Sequence, residues 1–299
     1  MKAYVYPNLD KTNCEEYTRR ACSILKQNGI GLLMNEKYFE LFGDIGDIVF
    51  LSHDDAVSSC DVLIVIGGDG TILKCAEAAA SQKKSILGIN CGRLGFMASL
   101  EPNDLELLGK IATNEYSITP RMMLKLTDDT GVEYHALNDV VISRSDDCKI
   151  ADFKVSKGDS TISYLRADGV IFSTATGSTA YSMSAGGTII EPDMQCIEYT
   201  QICAHSLFAR SMILSPDSDI NVLLHCSKGT HAIVTVDGND VRKITDGTSV
   251  RITRSPLTLN IIDLNGGSFF GSVNGKLMQP LKGNTEDNII SKTNATNLS

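Results

Sequence analysis

Most of the signatures that settle a protein's class by inspection are missing from this chain. No apolar run approaches the roughly 20 residues needed to cross a bilayer, and the opening stretch, Met1 to Pro7, is too short for a secretory signal. The nine cysteines contain no C-x-x-C pair and the five histidines no H-E-x-x-H, so the usual zinc frames are excluded. Odd in number and scattered through apolar contexts, these cysteines read as reduced core thiols, and the expected location is the cytoplasm. A basic surplus is absent as well. Lys and Arg total 27 against 36 Asp and Glu, and a net charge of −9 argues against a nucleic-acid partner. The near-match to G-x-G-x-x-G at Gly68-Asp69-Gly70 fails on Leu73, and no G-x-x-x-x-G-K-[ST] occurs, so neither a standard dehydrogenase fingerprint nor a Walker loop is present. There is no internal repeat and no low-complexity linker.

What is present is organised around residues 61–73. Val62 to Ile66 is an unbroken Val, Ile and Leu run, the pattern of a strand buried on both faces of a parallel sheet. Gly67-Gly68-Asp69-Gly70 breaks the strand, and Thr71 opens a helical run to Ser81. Strand, glycine loop and helix put backbone N–H groups and the positive end of a helix dipole at one point, which attracts phosphate. The glycines allow φ > 0 and close approach to a ligand. Asp69 is out of place in an anion site. Either it caps the helix, or it sits beside the phosphate and takes a proton from an attacking hydroxyl, with a role in holding Mg²⁺.

Around this stretch, strand and helix alternate: strands at 2–7, 30–34 and 85–90, helices at 15–27, 36–42 and 104–111. The pattern predicts an open, mostly parallel, Rossmann-like sheet with ligands at the carboxyl ends of its strands. Near residue 118 the rhythm changes to strand, short turn, strand, which predicts a mostly antiparallel β domain. The expected division is 1–118, 119–266, and a C-terminal helix (268–279) returning to the first domain with a polar, frayed tail (282–299).

Three further constellations could carry chemistry. Thr174 to Gly187 is too dense in hydroxyls and small residues to pack as an ordinary strand; it is either a solvated loop or the lining of a cleft. Asn138-Asp139 opens a strand with two poor strand formers, as an edge device or as a ligand contact. Thr235-Val236-Asp237-Gly238-Asn239 reads as a hairpin turn.

Taken together, Gly67-Gly68-Asp69-Gly70-Thr71, Gly92-Arg93-Leu94-Gly95-Phe96-Met97, Arg121-Met122-Met123-Leu124, Asn138-Asp139, Asp168-Gly169 and Thr176-Gly177-Ser178-Thr179-Ala180-Tyr181-Ser182-Met183-Ser184-Ala185-Gly186-Gly187 resemble the NAD kinases over nearly the whole chain. The glycine loop alone is shared with lipid kinases and phosphofructokinases; the long Thr-Gly-Ser-Thr-Ala-Tyr stretch is specific. The resemblance implies phosphorylation of the adenosine ribose 2′-hydroxyl of NAD by ATP, with a divalent metal such as Mg²⁺, in a homo-oligomer (a dimer or tetramer). By the same analogy Asp69 is the general base, and Gly67, Gly68, Gly70 and Thr71 belong to the phosphate-donor loop. Asp69, Gly70, Asn138, Asp139, Arg166, Asp168, Thr179, Ala180, Tyr181, Ser182, Met183, Ser184 and Asn239 contact NAD. Two alternatives are a lipid or sphingoid-base kinase with the same loop, which needs an apolar pocket, and a non-catalytic dinucleotide sensor.

Two positions depart from the family pattern: Asp139 stands where Glu is usual, and Ala175 where Pro is usual. The first shortens the side chain by about 1.5 Å and the second leaves the free loop less rigid. Asp139→Glu is therefore expected to change the apparent NAD affinity more than turnover, and a large fall in turnover at unchanged affinity would contradict that.

Overall fold

The structure is a computed structural model and describes residues 1–277, apart from 93–94, 146–149, 207–208, 228–229 and 267–268. Five parallel strands form its first part, in the order Ser85–Asn90, Val62–Gly67, Lys2–Pro7, Gly31–Asn35, Ile48–Leu51. The chain order reverses between Lys2–Pro7 and Val62–Gly67. At such a switch point the connections diverge to opposite sides and leave a crevice beyond the strand ends.

Every residue of Val62–Gly67 is buried, because both faces of the strand are covered. Ile64 and Ile66 join Ala3 and Val5 against the helix Cys14–Gln27, which buries Cys14, Thr18, Ala21, Cys22 and Leu25 at helical spacing. Leu63 and Val65 join Tyr4 on the other face, against Ile72, Cys75, Ala76 and Ala79 of the helix Asp69–Ser81.

The sheet continues past the parallel strands. Ser249–Asp263 is one 15-residue strand where the sequence suggested two, broken near Pro256; its register shifts between Arg254 and Thr258 but the ladder resumes. Its last residues pair parallel with Ser85–Asn90 and its first pair antiparallel with Ile220–His225, so one backbone joins parallel and antiparallel portions of an 11-stranded sheet. A second, six-stranded sheet is antiparallel throughout, with Gly169–Ser173 and Asp139–Arg144 at its centre. The inner faces of the two sheets meet around Phe153, Phe172 and Tyr199, the last two stacked at 5.2 Å.

Sequence reasoning missed the strands Ile48–Leu51, Ile197–Ile202 and Met212–Leu214 and the helix His53–Ser59. The final described helix is Phe269–Leu277; the expected extension to 279 and the polar tail lie outside the described residues. Among the described residues, no helix is long and apolar enough to cross a membrane.

Candidate active site

A cavity of about 1030 Å³ opens at the switch point, lined by Asn8 and Asp10–Asn13 after the first strand, Gly67–Thr71 after the fourth and Asn90–Gly92 after the fifth. Asn8 donates its backbone N–H to Ile66 O (2.8 Å) and its amide to Thr71 Oγ1 (3.1 Å), tying the two strand ends together. Thr71 Oγ1 also accepts from Gly68 N at 3.4 Å.

The glycines serve proximity here and not left-handed backbone. Gly67, Gly68 and Gly70 all avoid positive φ, and Gly68 is extended at −158°. A Cβ on Gly67 would strike Thr71, whereas Gly68 and Gly70 have nothing within 4 Å of an added Cβ, so open space lies over the helix start.

Asp69 does not cap its helix. Gly68 holds the N-cap position, and the Asp69 carboxylate crosses to the loop after Ser85–Asn90. There Oδ2 accepts from Phe96 N (2.8 Å) and Oδ1 from Met97 N (3.1 Å) and Ala98 N (3.3 Å). Three backbone donors thus fix the orientation of a half-buried carboxylate on the cavity wall, and acceptor capacity remains on Oδ2. Gly95 lies so close that a Cβ there would collide with the carboxylate. Lys11 and Lys74 add positive charge to the same cavity. Among the described residues no group of three or more His, Cys, Asp or Glu is arranged to hold a metal.

The second constellation is built the same way. Asp237 and Gly238 form the expected hairpin turn, with φ of 47° and 81°, as a type I′ turn requires. The Asp237 carboxylate accepts from Leu137 N (2.7 Å), Asn138 N (2.8 Å) and Asp139 N (3.0 Å). Burial raises the Asp237 pKa, against those three bonds. Asp139, 6% exposed, is pushed up to about 7 by burial and then by the charge of Asp237. Beside it, Asn138 is 8% exposed and its Oδ1 is buried without a hydrogen-bond partner. A buried amide oxygen costs free energy until something donates to it, so this atom marks a place for a ligand.

Thr174 bridges to that strand end, donating N–H to Asn138 O (2.9 Å) and its hydroxyl to Leu137 O (2.6 Å). Gly177 packs so tightly that a Cβ would run into the Asn138 carbonyl. Residues 174–178 are buried and Thr179 and Ala180 half-buried, so the hydroxyl-rich run is interior at its start. It turns outward through the short helix Tyr181–Ser184, where Tyr181 and Ser184 are exposed and Met183 is half-buried. Ser182 points inward, 2.7 Å from Glu198 Oε2 and 2.8 Å from Thr200 Oγ1.

The structure gathers Asn138, Asp139, Thr174–Ala180 and the Asp237–Asn239 turn at one end of the second sheet, with Asn239 exposed at its rim. Asp168 and Arg166 are elsewhere. Asp139 pairs with Ser173 and Ser143 with Gly169, so Asp168 precedes the far end of that strand, about 20 Å from Thr174. Asp168 pairs with Arg144 (2.7 Å), and Arg166 with Asp152 (2.8 Å) on the outermost strand of the large sheet. Within one chain these two are not brought to the cluster. Arg93 and Leu94 of the Gly92–Met97 motif lie outside the described residues.

A smaller cleft of about 370 Å³ runs from Phe96–Ser99, the first three of which hold Asp69, to Glu191–Asp193, which follow the hydroxyl-rich run. Arg121 pairs with Asp193 at 3.1 Å on its wall. The helix carrying Asp69 also shares its core with Leu137, the neighbour of Asn138, so both constellations rest on one packed layer.

Two residues were missed from the sequence, Asp237 and Glu198. Asp237 looked like turn chemistry alone, and the stretch around Glu198 drew no reading. Glu198 is fully buried, accepting from Ser173, Ser182 and the Thr188 N–H. No local signal separates such an anchor from a surface glutamate.

Comparison with known proteins fits this arrangement. Residues 7–116 match the ATP-NAD kinase N-terminal domain and residues 137–264 the ATP-NAD kinase C-terminal domain. An NAD kinase of Acetivibrio thermocellus is 36% identical over 282 residues, covering 93% of this chain and 97% of the relative. One from Caldanaerobacter subterraneus is 34% identical, covering 93% and 99%. The fold is similar to that of a yeast NADH kinase solved with NADH (TM-score 0.83, 21% identity, covering 95% of this chain and 89% of that one). It is also similar to an Archaeoglobus fulgidus NAD kinase solved with ATP (0.71, 23%, covering 92% and 98%). With both domains matched in order over most of the chain and relatives named NAD kinase at more than 30% identity, the chain belongs to the NAD kinase family.

Proposed function

We propose that this protein transfers the terminal phosphoryl group of ATP to the adenosine ribose 2′-hydroxyl of NAD, giving NADP and ADP. The observation that carries the mechanism is the Asp69 carboxylate, held by three backbone N–H groups at the start of a helix that faces a 1030 Å³ cavity. Phosphoryl transfer asks a protein chiefly to position its reactants and to stabilise charge. A carboxylate that cannot rotate away accepts the hydroxyl proton as the oxygen attacks. The N–H groups of the first helical turn, with Lys11 and Lys74, meet the phosphate charge. Asn138 Oδ1 supplies the acceptor that a dinucleotide's amino or hydroxyl group satisfies, and Gly177 permits the loop to close over that strand end.

The divalent cation belongs to the nucleotide substrate in this reading. Mg²⁺ is content with phosphate oxygens, waters and one or two carboxylates, and Asp69, Asp10 and Glu101 line the cavity with hard oxygen donors. A cytoplasmic homo-oligomer is part of this reading; the exposed apolar residues Met212 and Ile213 on an edge strand support the self-association.

The test is NADP formation from MgATP and NAD, read through an NADP-specific dehydrogenase. Turnover in the native protein and loss in Asp69→Asn with NAD still bound is the expected result. No turnover with NAD and ATP both bound would overturn the reading.

A further inference from the structure

The hydroxyl-rich run Thr174–Gly187 is held to the second sheet differently in its two halves. At its start, Thr174 bonds to Leu137 and Asn138, and Ser178 Oγ donates to Ala175 O (2.8 Å) and accepts from Ile190 N (3.0 Å). The second half carries Thr179–Ser184, the part expected to touch the dinucleotide. Among the described residues, the only side-chain hydrogen bonds from 179–187 to that sheet are those of Ser182. Both end on the strand Ile197–Ile202, at Glu198 and Thr200.

Glu198 does more than receive Ser182. It lies opposite Ser173 in the ladder, so the two side chains share one face of the sheet. Its Oε2 accepts from Ser173 Oγ (3.1 Å) as well as from Ser182 Oγ, and its Oε1 accepts from Thr188 N. Gly187 leaves room for that oxygen, because a Cβ there would strike both Glu198 Oε1 and Ser182. One carboxylate thus grips the residue before the run, a residue inside it and the residue after it. Because a carboxylate only accepts, it also sets a direction. Ser182 donates its one proton to Glu198, so Thr200 Oγ1 donates to Ser182 and Ser211 Oγ to Thr200 (3.0 Å).

Stability alone does not account for this group. Glu198 is fully buried, and among the described residues no Lys, Arg or His forms an ion pair with it. A buried carboxylate without a cation beside it is costly even when hydrogen-bonded. Ala175 supplies a second observation. Its φ of −58° is the angle a proline ring would enforce, but Ala leaves that angle free to change, so the run lacks a rigid start.

We propose that Glu198 is the positioning residue of the dinucleotide-binding run. Its grip holds Thr179–Ser184 in the binding conformation before NAD arrives, so the cost of ordering them is not subtracted from affinity. It supplies from the neighbouring strand the rigidity that Ala175 does not. Only the identity of the ligand rests on the kinase reading.

The experiment compares the full-length native protein with Glu198→Leu and Glu198→Gln by NAD calorimetry, thermal melting and steady-state NADP formation. Leu has no acceptor; Gln keeps an oxygen for Thr188 N, and the two serine hydroxyls can turn to accept from its amide. Glu198→Leu is expected to weaken NAD binding and raise KM for NAD about tenfold, with kcat and KM for ATP within about threefold. Glu198→Gln is expected to stay within about threefold of the native protein throughout. Ala175→Pro placed in Glu198→Leu is expected to recover about threefold of the lost affinity, and absence of that recovery overturns the link to Ala175. A lowered melting temperature at native NAD affinity in Glu198→Leu is what a purely structural group gives, and it overturns the proposal. Equal loss of affinity in Glu198→Gln overturns it too. Where Glu198→Leu does not fold, Ser173→Ala removes one grip at a residue outside the run; about threefold weaker NAD binding is expected, and native affinity overturns the proposal. Native protein that binds NAD without forming NADP overturns the kinase reading alone, and native protein that does not bind NAD overturns both.

Discussion

Asp69 and Asp237 do the same thing to the backbone in two different surroundings. Each carboxylate gathers three successive N–H groups, Phe96 to Ala98 in one case and Leu137 to Asp139 in the other. Asp69 does so at the edge of a wide cavity and stays half-exposed, in front of an open helix N-terminus. Asp237 does so inside a tight turn, beside a second buried carboxylate, where burial raises its pKa. The clamp is a structural device in both places; what separates them is access. A fixed carboxylate that lines a cavity can take a proton from a substrate, whereas one that burial keeps from ionising freely and that faces its own strand serves to hold that strand.

That contrast breaks most visibly at Asp69. Asp69→Asn turns an N–H₂ toward backbone donors and removes the proton acceptor, so kcat is expected to fall by about 10³-fold in the coupled NADP assay, with NAD binding changed much less. If Asp69 were only a clamp like Asp237, the variant would lose thermal stability and keep its turnover.

Asp237→Asn is the converse. One of three buried N–H groups loses its acceptor, at about 1–3 kcal/mol. A fall in melting temperature of several degrees and a rise in KM for NAD are expected, with kcat for the surviving enzyme within a few-fold. A kcat loss matching that of Asp69→Asn would erase the distinction.

Gly177→Ala sharpens the comparison further, because its Cβ meets the carbonyl of Asn138, a group the Asp237 clamp has already fixed. About tenfold higher KM for NAD, with KM for ATP unchanged, is expected from steady-state kinetics. An equal rise in both would place the two substrates in one undivided pocket.

The smallest effect is a pH dependence of stability. Asp139 titrates at about 7 when folded and near 3.8 when free, so between those values the folded state holds a proton that the unfolded chain has lost. Its contribution is fully present below about pH 4, declines as pH rises, and is lost above about 7. Asp139→Asn removes this slope. Its denaturant midpoint is expected to gain on the native protein between about pH 5 and pH 8, and a constant difference would show that Asp139 is not the titrating group.

Much of this was legible in the chain itself. The unbroken Val62–Ile66 run announced a doubly covered strand, the Gly-Gly-Asp-Gly break announced the loop, and Asp237-Gly238 announced its hairpin. These are local features, set by side-chain period and by which residues tolerate a turn. The two strands expected at 249–253 and 257–263 proved to be one, because pairing with Ser117–Thr127 on either side carries the ladder past Pro256. Ile197–Ile202 went unrecognised because its polar members, Glu198 and Thr200, are buried anchors and not a wet face.

The sequence by itself therefore determined the order of the two architectures, the strand, glycine loop and helix that carry Asp69, and, through its motifs, the resemblance to the family. The first two follow from periodicity and short-range chemistry. Tertiary structure alone decided which N–H groups the Asp69 and Asp237 carboxylates hold, that Asn138 Oδ1 is left without a partner, and that Asp168 and Arg166 stand far from that atom. Each of these depends on partners between 14 and 100 residues apart in the chain or on the burial they create. A local pattern carries no record of distance in space, and burial changes what a carboxylate or an amide does.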